Sequence, residues 1–147
     1  MSSGGIGLTI QAYTIVNDGL GTITSQSLNT GAGKGVYLSS NTSNPNLGVV
    51  SSLSGDGHSL DGGDSGTGEP DEGLLFTFNQ VVSLDFINFD SFNSTDDDFN
   101  LTIDGVSTLV DFGSLDTSPF VSHDDGQNDH FFFNSFIGTE FLIWAGL

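Results

Sequence analysis

The sequence contains no cysteine and no arginine, and Lys34 is its one strongly basic residue beside three histidines. Without cysteine there are no disulfides, no thiol chemistry and no thiolate zinc sites. A single cation among 147 residues cannot neutralise a phosphate backbone, which excludes direct nucleic-acid binding. An anionic membrane surface repels the chain for the same reason. No apolar run approaches the ~20 residues of a spanning helix, so insertion into a bilayer is not expected. The opening residues MSSGGIGLTIQAYTIV have neither a basic segment nor a continuous apolar stretch, and they do not read as a secretory signal. Helical periodicity is also missing, since no apolar stripe persists over three turns.

Acid, glycine and phenylalanine are abundant. Nineteen Asp and Glu against one Lys give a formal net charge of −18, and there are 21 Gly, 13 Phe, two Tyr and one Trp. Apolar residues make up 35 %, below the ~45–50 % usual for globular chains. The aromatics nonetheless supply the large buried areas that disordered chains lack. The length suits one folded domain over residues 1–147 with an acidic coat.

Period-two alternation recurs along the chain. Ile6, Leu8, Ile10 and Ala12 alternate with Gly7, Thr9 and Gln11, the pattern of a half-buried strand. Leu20 to Thr24 and Val36 to Leu38 are shorter candidates. Leu74, Phe76 and Phe78 share one strand face, and Val82, Leu84 and Phe86 continue it after Asn79-Gln80. Phe99, Leu101 and Ile103 alternate up to Asp104-Gly105, where a tight hairpin turn wants positive φ, and Val106 to Phe112 return. Phe131 to Phe136 and Phe141 to Trp144 form a closing aromatic pair, split by Ile137-Gly138-Thr139. The expected fold is all-β: an antiparallel, jelly-roll-like β-sandwich of eight or nine short strands.

Two loops interrupt this pattern, Ser39 to Asn46 and the longer, acidic, Gly-rich Ser51 to Gly73. Loops beyond ~12–15 residues in a compact domain are usually functional or disordered. The longer one holds six acids between Asp56 and Glu72, and a second cluster runs Asp96-Asp97-Asp98. Carboxylates crowded together without basic partners repel one another, and a hard cation with oxygen ligands relieves that repulsion. Calcium is therefore the expected ion, with Asp61, Asp71 and Glu72 as ligands in the first cluster and Asp96 and Asp98 in the second. Asp71 and Glu72 stand out because a strand follows them directly. Asp96, Asp98 and Asn100 have the alternate spacing that opens calcium loops, but the turn Gly and distal Glu of an EF-hand are missing. The bland alternative is a solvated acidic surface.

His58 lies in the long loop, while His123 and His130 bracket HDDGQNDH. With Asp124, Asp125 and Asp129 between them, the two imidazoles offer ligands for zinc or another transition metal, but the spacing matches no zinc signature and a polar loop before a strand explains it equally well. Catalysis finds little support, because no G-x-S-x-G elbow occurs and almost no cation is present to bind a charged substrate or oxyanion. The chain does not read as an enzyme. Tyr13, Tyr37 and Trp144 would serve to stack on the rings of a neutral glycan if exposed, whereas the alternating Phe residues read as core.

One segment carries a resemblance. A Gly-rich stretch leads to an H-x-x-D step (His58 to Asp61), then to a D-E-x-L-x-F-x-F strand (Asp71, Glu72, Leu74, Phe76, Phe78). A V-x-L strand (Val82, Leu84) then runs into an Asp-rich loop and closing strand (Asp96 to Ile103). Over residues ~47–112 this resembles the extracellular β-sandwich proteins that bacteria often attach through PEP-CTERM sorting tails. The resemblance implies a cell-surface or matrix location and a non-catalytic structural or adhesive role. No sorting tail follows Leu147, so the expectation is a trimmed segment or export by a route without a cleaved N-terminal signal. A phage or other particle surface protein is a further possibility. Edge pairing between Phe-rich sandwiches would let such a protein form a homo-oligomer or filament, with cations offsetting the repulsion of so many like charges.

Overall fold

The computed structural model describes residues 5–18, 22–30, 34–38, 47–50, 70–90, 99–110, 121–124 and 128–145. The chain is all-β. In chain order the strands are β1 (Leu8–Asn17), β2 (Ile23–Leu28), β3 (Gly35–Leu38), β4 (Leu47–Val50), β5 (Pro70–Asp90), β6 (Phe99–Ile103), β7 (Val106–Val110), β8 (Val121–Asp124) and β9 (Asn128–Ala145). Seven of them form one antiparallel sheet in the order β2-β1-β5-β9-β6-β7, with β8 pairing on β9, and β3 and β4 form a separate hairpin.

Two unusually long strands, β5 and β9, hold the sheet together. From Gly73↔Trp144 to Thr77↔Glu140 they pair regularly, and they resume at Val82↔Gly138. Four residues of β5, Phe78 to Val81, therefore lie opposite Thr139 alone. Bulges of this kind bend a strand and let it pass between layers. The bend has a direct consequence in the packing. Phe99, Leu101, Phe141 and Ile143 form a buried cluster, and Phe76, Val82, Leu84, Ile87 and Phe136 all pack against it. A straight strand at ~3.3 Å per residue would carry Ile87 roughly 36 Å past Phe76. The ribbon instead turns at the bulge and brings its second half back onto that cluster. Phe78 meets Phe141 edge-on, ring centroids 6.0 Å apart, a favourable arrangement for aromatic quadrupoles.

Beside this core, Val49 of the β3–β4 hairpin covers Ala12 and Leu74. The opposite face of the sheet has its own cluster of Ile15, Leu142 and Trp144, with Tyr13, Ile23 and Leu75 packed against it. Gly73 makes that cluster possible. A Cβ there would lie 2.5 Å from Ile15 Cδ1 and 3.1 Å from Trp144 Cβ.

Several sequence expectations need correction. The segment expected as a loop to Gly73 becomes strand already at Pro70, because β1 supplies partners for Pro70, Asp71, Glu72 and Gly73. Pro70 opens the strand, where its missing N–H does least harm. Ile137-Gly138-Thr139 does not split β9. Gly138 stays in the strand through its pairing with Val82, and it is glycine where a Cβ would meet Ile103 Cγ2 at 2.7 Å and Asp104 Oδ2 at 3.0 Å. The second strand runs Ile23–Leu28, overlapping the expected Leu20 to Thr24, of which Leu20 and Gly21 lie outside the described residues, and Leu47–Val50 forms a strand that alternation does not announce.

Candidate functional site

Asp71 and Glu72 are the acidic candidates that the structure describes. Asp71 is 1 % exposed and Glu72 0 %. Register sets Asp71 opposite Ile15 and Glu72 opposite Thr14, so strand alternation places the two on opposite faces of β5. They are neighbours in sequence but not a ligand pair. Asp71 Oδ2 accepts a hydrogen bond from Asn17 Nδ2, a buried contact across 54 positions of sequence. Nothing near Asn17 in the sequence announces this partner, since it depends on the β1–β5 register. Asp61, Asp96 and Asp98 lie outside the described residues, as do His58, Phe92 and Asp97. Among the described residues no group of three or more His, Cys, Asp or Glu converges as a metal centre.

Asn100, which would extend the Asp96–Asp98 spacing, lies in β6, buried opposite Trp144. Asp104 serves the fold. It adopts φ 48° and is followed by Gly105 at φ 80°, the paired left-handed conformations of a two-residue hairpin turn. Its Oδ1 accepts hydrogen bonds from the Thr139 N–H at 2.9 Å, the Thr139 hydroxyl at 3.0 Å and the Glu140 N–H at 2.9 Å. Its own N–H donates to the Glu140 carbonyl at 3.0 Å. The Glu140 amide, then the Thr139 amide and hydroxyl, hold the Asp104 carboxyl below its ordinary range against a small opposing effect of desolvation. This side chain pins the β6–β7 turn to β9.

A shallow cleft of about 340 Å³ is lined by Thr22, Ile23 and Gln26 at one end of the sheet and by Thr102, Gly105 and Glu140 toward the other, with Leu75 and Leu142 also lining it. These residues come from separated strands and leave no linear signature. Trp144 is not a stacking platform: its side chain is 0 % exposed, and Nε1 has no hydrogen-bond partner among the described residues. Tyr13 and Tyr37 are half-buried.

The histidines of the HDDGQNDH segment occupy related positions in the sheet. His123 of β8 is the register partner of His130 of β9, and Asp124 of Asp129. On its other side His130 pairs with Asn88 of β5. No protein-family model, curated protein or solved structure matches this chain.

Proposed function

We propose that this chain is a non-catalytic structural or adhesive protein of a bacterial cell surface or extracellular matrix, stabilised by Ca2+ and assembling with copies of itself. The observation that carries the reading is the excess of acid over base, 19 Asp and Glu against one Lys, with six of the acids between Asp56 and Glu72. Crowded carboxylates with so few basic partners repel one another, and a hard cation with oxygen ligands relieves that repulsion. The acidic residues 56–69 lead directly into Pro70, so a divalent ion bound by Asp61, Asp71 or Glu72 would fasten that segment to the rigid start of β5. Asp96 and Asp98 stand in the same relation to β6. The resemblance of residues ~47–112 to sorted bacterial surface sandwiches agrees with this location.

Self-association rests on the sheet's two ends and its apolar surface. Among the described strands β2 and β7 end the sheet path, and an open edge is a template for another chain. Ile6, Leu38, Val81, Val106 and Ile137 are each at least 60 % exposed. At a net charge of −18, cations are needed to screen or bridge the copies. A second reading, binding of a neutral glycan, draws on the cleft, where Thr22, Gln26, Thr102 and Glu140 offer polar groups above Ile23, Leu75 and Leu142.

The test is thermal unfolding with light scattering, in Ca2+ and in EGTA. Ca2+ at 100 times its dissociation constant stabilises by about 2.7 kcal/mol, and chelation should lower the Tm and disperse the assemblies. A melt unmoved by EGTA, with a monomer at every Ca2+ concentration, refutes the proposal.

A further inference from the structure

We propose that two copies of this chain pair through the outer edge of β2, antiparallel about a two-fold axis, so that their seven-stranded sheets become one. This pairing rests on the self-association proposed above and gives it a strand, a symmetry and a charge requirement.

Charge is divided unevenly along the chain. Asp18 is the single acid before Asp56 and Lys34 the single base, so residues 1–55 are electrically neutral. The other eighteen acids all follow, with no base among them. Strands β1 to β4 contain no charged residue. The sheet therefore has two uncharged strands, β2 and β1, at one end, and β5 is the first in its order to carry acid. Exposed apolar side chains concentrate in the same neutral part. Ile6, Leu8, Leu28, Val36, Leu38 and Leu47 are six of the nine large ones among the described residues.

Of the two ends of the sheet, β2 is the one suited to meet its own copy. β7 is bracketed in sequence by Asp104 and Asp111, and a homotypic contact there would gather like charge. β2 pairs with β1 alone among the described strands, and Thr24 to Leu28 are all exposed. Ser25 to Leu28 keep regular register with Val16 to Tyr13, so the outward N–H and C=O groups follow in regular order. The strand has neither the proline nor the charge with which natural edges are blunted. With the axis at Gln26, Ser25 of one copy faces Ser27 of the other, and Thr24 faces Leu28. Neighbouring strands lie ~4.8 Å apart, which sets the two β5 strands of the joined sheet about 24 Å from each other. That is roughly three Debye lengths at ~0.15 M salt. Monovalent salt thus suffices at this edge, and the pair forms without Ca2+.

The experiment is sedimentation equilibrium of the full chain in EGTA at ~0.15 M NaCl, where a dimer is expected. Ser25→Asp/Ser27→Asp and Ser25→Lys/Ser27→Lys should each weaken dimerisation about 10-fold, since each sets two like-charged pairs across the edge. An equimolar mixture of the two variants should regain the dimer, which a folding defect cannot produce. Gln80→Asp, at an exposed position in β5, should dimerise as the wild type does. A wild-type monomer, charged variants that dimerise undiminished, or a mixture no better than its parts overturns the proposal. Because no Ca2+ is present, the calcium reading can fail while this pair stands. Conversely, Ca2+-dependent assemblies that form equally well from the charged variants sink the β2 pairing and leave that reading in place.

Discussion

Replacing Gly73 tests the packing of the Ile15–Leu142–Trp144 cluster directly. An alanine Cβ would lie 2.5 Å from Ile15 Cδ1, 3.1 Å from Trp144 Cβ and 3.3 Å from the Ile143 carbonyl oxygen, against ~3.5–4.0 Å for an ordinary carbon contact. Ile15 and Trp144 are both fully buried, so the Ile15 ethyl group has no solvent to swing into. Overpacking of this kind costs ~1–3 kcal/mol, and the lower chain entropy of unfolded alanine returns ~0.4–1 kcal/mol. Gly73→Ala should therefore destabilise by about 1–2 kcal/mol. At ~2–4 °C per kcal/mol for a chain of this size, the Tm falls by a few degrees. Ile15→Val alone should cost ~0.5–1.5 kcal/mol for its lost methyl. That methyl is the atom that obstructs the new Cβ, so the double variant should be no less stable than Ile15→Val by itself. A thermal and urea double-mutant cycle in saturating Ca2+ measures the coupling. Strict additivity, or a Gly73→Ala variant more stable than wild type, would refute this account of the glycine.

The carboxyl of Asp104 gives a pH prediction. Its folded value is depressed from 3.8, so its contribution to stability is complete above the unfolded value and is lost as pH falls through the folded one. Asp104→Asn keeps a residue that tolerates positive φ. The gap in Tm between wild type and this variant should be widest near neutrality and should close below pH 3.8; a gap independent of pH counts against the three-donor arrangement. For Trp144, burial predicts blue-shifted emission, weak quenching by iodide and no direct quenching by neutral sugars. Quenching comparable to free tryptophan would contradict its place in the core.

Legibility in the sequence followed how local each determinant was. Phe99, Leu101 and Ile103 with Asp104-Gly105 specify β6, the turn and β7 within a dozen residues, and the structure has that hairpin. Asn79-Gln80 reads as an interruption in an alternating strand and is the site of the bulge. Residues 70–73 read as loop because proline and paired acids disfavour strands, yet register with β1 overrides that preference. Gly138 looks like a break for a related reason, since the side chains that crowd it, Ile103 and Asp104, lie more than 30 positions earlier in the chain. Most of the candidate site depends on such distant partners. The Asn17–Asp71 bond, the cleft and the His123–His130 register are all products of strand pairing. No composition or spacing encodes them.

The place of β9 also bears on the order of folding. Its neighbours β5, β6 and β8 all precede it in the chain, so during synthesis each emerges from the ribosome before the strand that joins them. Until residues 128–145 are released, the edges of β5 and β6 that will meet β9 remain unsatisfied. Such non-local pairing is slow to form and prone to aggregation in the interval. Nascent chains therefore carry unpaired strand edges until that strand arrives, and the net charge of −18 opposes their association in the interval.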